Sequence, residues 1–190
     1  MQRRVITTIE SDVKRMSPAI KRMALKASTV TLSGKSYEYI RNNIINLTKE
    51  LLVHSFQLTE LSKRKTINVT DIYYAAKVLN YPNPIYDLSQ ITKCTISPHV
   101  QKKAKIRFYQ KQVDCTYFQQ AVFKRIIKNV WENTEPLLMT KESKLAIQLL
   151  VESRLITLLQ GASLAIIHRK GKKLQNNNIK LTETLAQLKI

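Results

Sequence analysis

Apolar residues recur at helical spacing in two long stretches of the chain, each of about thirty residues. Steps of three and four residues place such side chains on one face of a helix. The first stretch predicts a long helix over about residues 35–62, with a stripe formed by Tyr37, Ile40, Ile44, Leu47, Leu51 and Leu58. The second predicts a long helix over about residues 140–169, with a stripe formed by Leu145, Leu149, Ile156, Leu159 and Ile166.

Shorter helices are predicted on both sides of each long one. Ser17 followed by Pro18 is typical of a helix start, because serine caps free amides and proline at the first helical position has no amide to satisfy. This pair predicts a helix over residues 17–27. Asn68 and Asp71 have the spacing of a capping box, which predicts a helix over about residues 69–79. In the second half, shorter helices are predicted over about residues 99–112, 119–134 and 176–188.

This repeated layout divides the chain into two similar units. Residues 1–16 are a short N-terminal extension, 17–80 the first unit, 81–98 a linker that holds three of the five prolines, and 99–190 the second unit. A helix of nearly thirty residues is over about 40 Å long and cannot bury its stripe inside so small a unit. We therefore expect the two units to clasp each other. A plain α-helical bundle is the alternative, and periodicity alone does not separate the two.

The chain is strongly basic, with 32 Lys and Arg against 13 Asp and Glu and a net charge of +19 over 190 residues. A folded body this basic repels itself unless a polyanion neutralises it. DNA fits this charge, as do RNA and anionic lipid on charge alone. No stretch approaches 18 consecutive apolar residues and the N-terminus lacks an apolar signal region, so neither a membrane span nor a signal peptide is expected.

Nothing in the sequence indicates catalysis or a cofactor. The three histidines His54, His99 and His168 are scattered, and no nucleophile motif or metal-ligand cluster accompanies them. Cys94 and Cys115 have no CxxC spacing and are interpreted as reduced thiols. We therefore expect no enzyme, no cofactor and no bound metal.

Several segments resemble core histones. SPAIKRMA (17–24), LSGKSYE (32–38) and SKRKTINVTDIYYAAK (62–77) resemble histone H4 in order and without a gap. IRFYQK (106–111), FKRIIKNV (123–130) and AIIH (165–168) resemble histone H3 more loosely. Fusion in this order resembles the histone doublets of certain giant DNA viruses.

The resemblance implies an all-α fold of two tandem histone folds that pair within one chain in a handshake, with an extra N-terminal helix on the second. It also implies sequence-nonspecific packaging of double-stranded DNA into nucleosome-like particles, in the virion interior and the viral factory or host nucleus. Its alternatives are a transcription or chromatin regulatory factor built as a fused heterodimer, and an RNA-binding or ribosomal basic protein.

By the same resemblance, loops and helix starts face DNA, where clustered cations neutralise phosphates and release counterions. The implied DNA-binding residues are Lys21, Arg22, Lys26, Thr31, Lys63, Arg64, Lys65, Thr66, Lys105, Arg107, Lys111, Lys124, Arg125, Lys128, Arg169, Lys170, Lys172 and Lys173. The alternative is that these groups form ordinary solvated faces and loops. Where the family has arginines, this chain has Thr31, Ala104 and Leu138, which predicts a weaker grip on DNA.

The resemblance further implies a structural ion pair between Arg64 and Asp71. The matching positions of the second unit are Gly171 and Asn178, which predicts a lost pair and a looser loop there.

Two protein-binding surfaces are implied as well. Self-association with a second copy is assigned to Leu164, Ile167, His168 and Asn178, and contact with a histone or doublet of the H-two-B/H-two-A type to Leu58, Leu61 and Tyr74. The alternatives are that the apolar groups join the internal core and that His168 caps its helix.

Overall fold

The computed structural model describes residues 11, 14–27, 31–81, 116–131, 138–171 and 173–187. The first unit consists of helix α1 (Ser17–Ala27), strand β1 (Thr31–Leu32), helix α2 (Gly34–Leu61), strand β2 (Thr66–Ile67) and helix α3 (Val69–Val78). The second consists of helix α4 (Gln120–Val130), strand β3 (Leu138–Met139), helix α5 (Lys141–His168), strand β4 (Lys173–Leu174) and helix α6 (Asn176–Gln187). The two units therefore share one order of elements.

The long helices α2 and α5 begin and end within one residue of their predicted bounds. Helix α4 ends at Val130, earlier than predicted, where Trp131 leaves helical backbone angles. The predicted helix over 99–112 and the linker beyond Tyr81 lie outside the described residues.

Helix α1 has the predicted bounds, but Ser17 does not have the predicted capping role. The amide of Ile20 bonds to the carbonyl of Met16, so Met16 precedes the helix and Ser17 is its first residue. The Ser17 hydroxyl does not cap amides; it donates to the carbonyl of Lys14 and accepts a bond from Arg41 on α2. Serine at this place therefore joins α1 to the long helix.

Two short parallel strand pairs join the units crosswise. Strand β1 of the first unit pairs with β4 of the second, with Thr31 opposite Lys173. Strand β2 pairs with β3, with Thr66 opposite Leu138. In each pair, the loop before the long helix of one unit therefore contacts the loop after the long helix of the other unit. This crossed pairing is the intramolecular handshake, and it excludes a plain helical bundle.

One hydrophobic core runs through both units. The long helices bury Ile44, Leu51, Val151 and Leu155 in the same cluster, and Phe123 of α4 is among the largest side chains within it. Burial at about 25 cal/mol per Å² of apolar surface makes this shared core the main source of stability.

Among the described helices, α5 is long and apolar enough to cross a membrane on length and composition alone. Half of its most apolar stretch is buried inside the protein. It contains no run of 18 consecutive apolar residues, and it is the central core helix, in contact with five other helices.

Gly161 allows α5 to approach α6 closely. A Cβ atom at this position would lie 2.4 Å from Cγ2 of Thr182, whose hydroxyl donates to the carbonyl of Asn178 at 2.9 Å. Gly161→Ala should therefore destabilise the protein by about 1–3 kcal/mol, although alanine favours helix by up to about 1 kcal/mol. Urea unfolding followed by circular dichroism measures this loss.

Gly34 provides the control, because nothing lies within 4 Å of a Cβ built there. Gly34→Ala should leave stability unchanged or raise it by up to about 1 kcal/mol. A Gly161→Ala variant as stable as Gly34→Ala would contradict the proposed close approach.

Candidate nucleic-acid interface

The two strand pairs are locked by the same hydroxyl arrangement. At the start of α2, the amide of Ser36 donates to the Ser33 hydroxyl, and the Ser36 hydroxyl donates across the units to the carbonyl of Leu174 at 2.8 Å. At the start of α5, the amide of Ser143 donates to the Thr140 hydroxyl, and the Ser143 hydroxyl donates to the carbonyl of Ile67 at 2.9 Å. Both serines are fully buried. The start of each long helix is therefore fixed against the opposite loop.

We call β1 with β4 the first loop pair and β2 with β3 the second loop pair. Each lies beside the N-terminus of a long helix, where free amides and the helix dipole favour an anion. The first loop pair carries Lys173 opposite Thr31, and the second carries Thr66 beside exposed Lys65. This combination of cations, hydroxyls and helix N-termini suits phosphate groups.

A lysine follows each long helix in an unusual backbone conformation. Lys63 has φ 52° and Lys170 has φ 53°, in the left-handed region that favours glycine. The next amide bonds back into the helix in both cases, Arg64 to Thr59 and Gly171 to Ile166. Both lysines are exposed. The strained turn therefore presents an ammonium group at equivalent places of both units.

The predicted Arg64–Asp71 pair is present. Arg64 donates from both terminal nitrogens to the Asp71 carboxylate, at 2.5 and 3.0 Å. The same carboxylate accepts from the Asn68 amide at 2.8 Å and the Thr59 hydroxyl at 3.2 Å. Burial acts to raise the pKa of Asp71, but these hydrogen bonds outweigh it and hold the pKa below its usual value. Arg64 thus fixes the loop to α3.

The equivalent loop of the second unit is held differently from the prediction. The ion pair is absent at Gly171 and Asn178, but Arg169 donates to the side-chain oxygen of Asn178 at 3.4 Å. This contact is long for a hydrogen bond, so it replaces a bidentate ion pair with a weaker link. Arg169, predicted to face DNA, is thereby also a structural residue.

Arg22 also has a structural contact that the sequence did not indicate. It donates to the carbonyl of Tyr117 at 3.1 Å, which brings α1 beside the residues that precede α4. The amides of Tyr117 and Phe118 donate to the carboxylate of Glu152, at 2.8 and 2.9 Å. Glu152 is 3% exposed, and burial raises its pKa to about 7 despite these hydrogen bonds. This buried carboxylate escaped the sequence analysis, because α5 contains many polar residues and nothing local marks Gln148 and Glu152 as the buried ones.

The other predicted DNA-binding residues fall into two sets. Those with exposed side chains on α1, α4 and the loops are Lys21, Lys65, Lys124, Arg125, Lys128, Lys170 and Lys173. Lys105, Arg107, Lys111 and Lys172 lie outside the described residues, as does the side chain of Lys26. Leu138, in the second loop pair, is 48% exposed.

The implied self-association surface contains exposed apolar side chains at the end of the second unit. Leu164 and Ile167 are 68% and 61% exposed, and Leu181 and Leu185 of α6 are also exposed. His168 is exposed beside them, but Asn178 is buried and does not belong to this surface. The Asn178 side chain is buried and accepts a hydrogen bond from Arg169, so it cannot contact a second copy of the chain.

The first unit has a comparable surface at its own end. Leu61 and Tyr74 are exposed, Leu58 is half-buried, and Val78 extends the patch along α3.

In the described parts of the chain, no three His, Cys, Asp or Glu side chains come together as metal ligands. Cys94 and Cys115 lie outside those parts.

Comparison with known proteins gives three findings. Residues 98–184 match the family described as the core histone domain, which covers histones H-two-A, H-two-B, H3 and H4. Histone H4 of Entamoeba histolytica is 32% identical over 60 residues, which is 32% of this chain and 51% of that histone. The chain thus spans about half the length of that curated relative.

The third finding concerns the fold. The histone from Methanopyrus kandleri matches this structure with a TM-score of 0.60 at 14% sequence identity. The match covers 89% of this chain and 93% of that one, so a single histone chain reproduces both units together. The chain is therefore built of two histone folds that pair with each other.

Proposed function

We propose that this protein packages double-stranded DNA without sequence preference, as a histone doublet that wraps DNA into nucleosome-like particles. The observation that carries the proposal is the geometry of the two loop pairs. Each lies next to the N-terminus of a long helix, is fixed there by a buried serine and has an exposed lysine in or beside it. Contacts of this kind address phosphates, and phosphate contacts carry no base code.

The charge of the chain supports the same proposal. A protein of net charge +19 needs a polyanion, and DNA carries one negative charge per about 1.7 Å of axis. The exposed lysines that follow each long helix are held in a backbone conformation that glycine would adopt more easily. Because glycine would be less strained at these two positions, the presence of lysine supports a role for the ammonium charge.

Two further parts of the proposal concern partners and origin. The exposed apolar ends of the two units suit association with a second copy at the second unit, and with a histone or doublet of the H-two-B/H-two-A type at the first. Fusion of an H4-like fold to an H3-like fold supports a viral histone doublet, which would act in the virion, viral factory or host nucleus.

Thr31 and Leu138 stand in the two loop pairs where the family has arginines. We therefore expect DNA to be released at lower salt than from a eukaryotic nucleosome, because two minor-groove cations are missing. Side-by-side salt titration of the two particles measures this, and equal resistance to salt would contradict it.

The experiment for the function is nuclease footprinting of the full chain reconstituted on mixed-sequence DNA. Protection of a long, nucleosome-scale length without sequence preference supports packaging. A short footprint at a preferred sequence would instead indicate the regulatory factor, and stronger binding to structured RNA the ribosomal alternative.

A charge series then tests the lysines that flank the loop pairs. Changing Lys63, Lys65 and Lys170 to glutamine should reduce the slope of log affinity against log salt by up to about 3, since each phosphate contact contributes about 0.9. The matched control changes Lys49, Lys77 and Lys180, which lie within helices rather than in these loops. Equal slopes for the two triple variants would contradict the assignment of the loop pairs to DNA.

A further inference from the structure

A polar groove of about 770 Å³ lies where four elements of both units meet. One face of α2 provides most of its wall, and α5, α6 and the residues after α3 complete it. The polar residues of the lining are Tyr39, Asn42, Asn43, Asn46, Glu50, His54, Tyr81, Arg154 and Glu183. None of these residues belongs to the loop pairs.

The groove gathers two of the chain's few carboxylates. Burial raises the pKa of Glu50, and the Glu183 carboxylate adds to the rise, while His54 and Arg154 oppose it. Among the described residues, neither glutamate has a Lys, Arg or His nitrogen within the 4.0 Å of an ion pair. Glu183 accepts a hydrogen bond from the Tyr39 hydroxyl, and within the same part of the chain Glu50 has no such bond. Among the described residues, two carboxylates therefore line one groove without a bridging cation, and the charge of Glu183 disfavours that of Glu50.

Two cations at the groove, Arg154 and Lys180, lie over aromatic rings. The Arg154 guanidinium lies over the ring of Tyr81, 5.7 Å from its centroid. The Lys180 ammonium lies over the ring of Tyr39, also 5.7 Å from its centroid. Both cations therefore contact aromatic faces at the edges of the groove.

A buried hydroxyl adds an independent indication of a ligand. Tyr81 lines the groove and is 7% exposed, and its buried hydroxyl has no hydrogen-bond partner among the described residues. Burial raises the pKa of this phenol and Glu50 raises it further, so it stays neutral and its oxygen can accept a bond. An unsatisfied buried polar group of this kind costs about 1–3 kcal/mol.

We propose that the groove binds an alkylammonium group, carried by a free polyamine or by a lysine side chain of a second copy of this chain. An ammonium has three donors and no acceptor. The groove offers it acceptors, namely the carboxylates of Glu50 and Glu183 and the hydroxyl oxygen of Tyr81. The bound charge also relieves the repulsion between the two glutamates. This site is independent of DNA binding by the loop pairs.

The test is a titration of the full chain with cadaverine at constant ionic strength, followed through the NMR signals of the tyrosine rings and glutamate carboxylates. We expect saturable shifts at Tyr39, Tyr81, Glu50 and Glu183. Glu50→Gln should raise the Kd at least about tenfold, since it removes an opposite charge at hydrogen-bond range. The matched control is Glu60→Gln, an exposed glutamate on the same helix α2, which should leave the Kd unchanged.

The neutral analogue 1,5-pentanediol separates amine binding from general solvent effects. Three results would overturn the proposal. Pentanediol could cause shifts of the same size, the shifts with cadaverine could fail to saturate, or the Kd values of Glu50→Gln and Glu60→Gln could be equal. Circular dichroism and Trp131 fluorescence establish that each variant is folded.

Light scattering of the full chain distinguishes the two sources of the ammonium group. If Glu50→Gln weakens both cadaverine binding and self-association, a lysine of a second copy occupies the groove. If it weakens cadaverine binding alone, a free polyamine does.

Discussion

Replacing Asp71 with alanine should destabilise the protein by about 2–4 kcal/mol, because several donors lose one buried acceptor. The carboxylate accepts from Arg64, the Asn68 amide and the Thr59 hydroxyl, and it is 4% exposed. Its loss leaves the start of α3 without half of its capping box and the basic loop without its anchor. Urea unfolding monitored by circular dichroism gives the free energy of unfolding.

Asn178 supplies the control for this prediction, because it occupies the equivalent position of the second unit and, among the described residues, its side chain has one long contact, to Arg169. Asn178→Ala should cost about 1 kcal/mol, the usual net value of one hydrogen bond. Equal losses at the two positions would show that the Asp71 network adds nothing to stability.

The Asp71 network also sets the behaviour at low pH. The pKa of Asp71 is lower in the folded protein than in the unfolded chain. The stability that the ionised carboxylate contributes is therefore present above about pH 4 and is lost as pH falls through the folded pKa. The Asp71→Ala variant should therefore lose less stability than the parent between pH 5 and pH 2.

The helices could be read from the sequence because their causes are local. Periodic apolar residues determine α2 and α5, and the Asn68–Asp71 spacing determines the start of α3. Ser17 was wrongly predicted to cap α1, because its hydroxyl accepts a hydrogen bond from Arg41, which is 24 residues away in sequence. Contacts of that range leave no local pattern.

The site was predictable only in part for the same reason. Runs of basic residues marked the loops, but two-residue strands have no periodicity, so the crossed pairing rested on resemblance alone. The burial of Asn178 and the contact of Arg22 with Tyr117 depend on how α6 and α1 pack. The groove combines residues from four elements, and no stretch of sequence contains enough of them to indicate it.

Glu152 should make the protein less stable as pH rises from about 5 to about 8. Burial raises its folded pKa to about 7, above the ordinary glutamate value of 4.5. Over this interval the unfolded chain releases the proton more readily than the folded chain does. Stability that is fully present below the unfolded pKa is therefore lost as pH rises through the folded one. This difference between the folded and the unfolded pKa of Glu152 corresponds to about 3 kcal/mol in the free energy of unfolding.

Glu152→Gln tests this, because glutamine stays neutral across the interval. The variant loses one acceptor for the amides of Tyr117 and Phe118, so we expect a constant cost at every pH. The free energy of unfolding of the parent should then fall relative to the variant by about 3 kcal/mol between pH 5 and pH 8. All other titratable groups are common to both proteins, so their contributions cancel in this difference.

Trp131 provides the readout, since it is the single tryptophan and its ring meets Phe56 of the other unit with centroids 4.9 Å apart. Its fluorescence therefore reports separation of the units, and circular dichroism reports loss of helix in the same urea series. Parallel stability curves for the parent and Glu152→Gln would mean that the carboxylate ionises as freely in the folded protein as in the unfolded chain. In that case the hydrogen bonds that the carboxylate accepts would fully offset the effect of its burial.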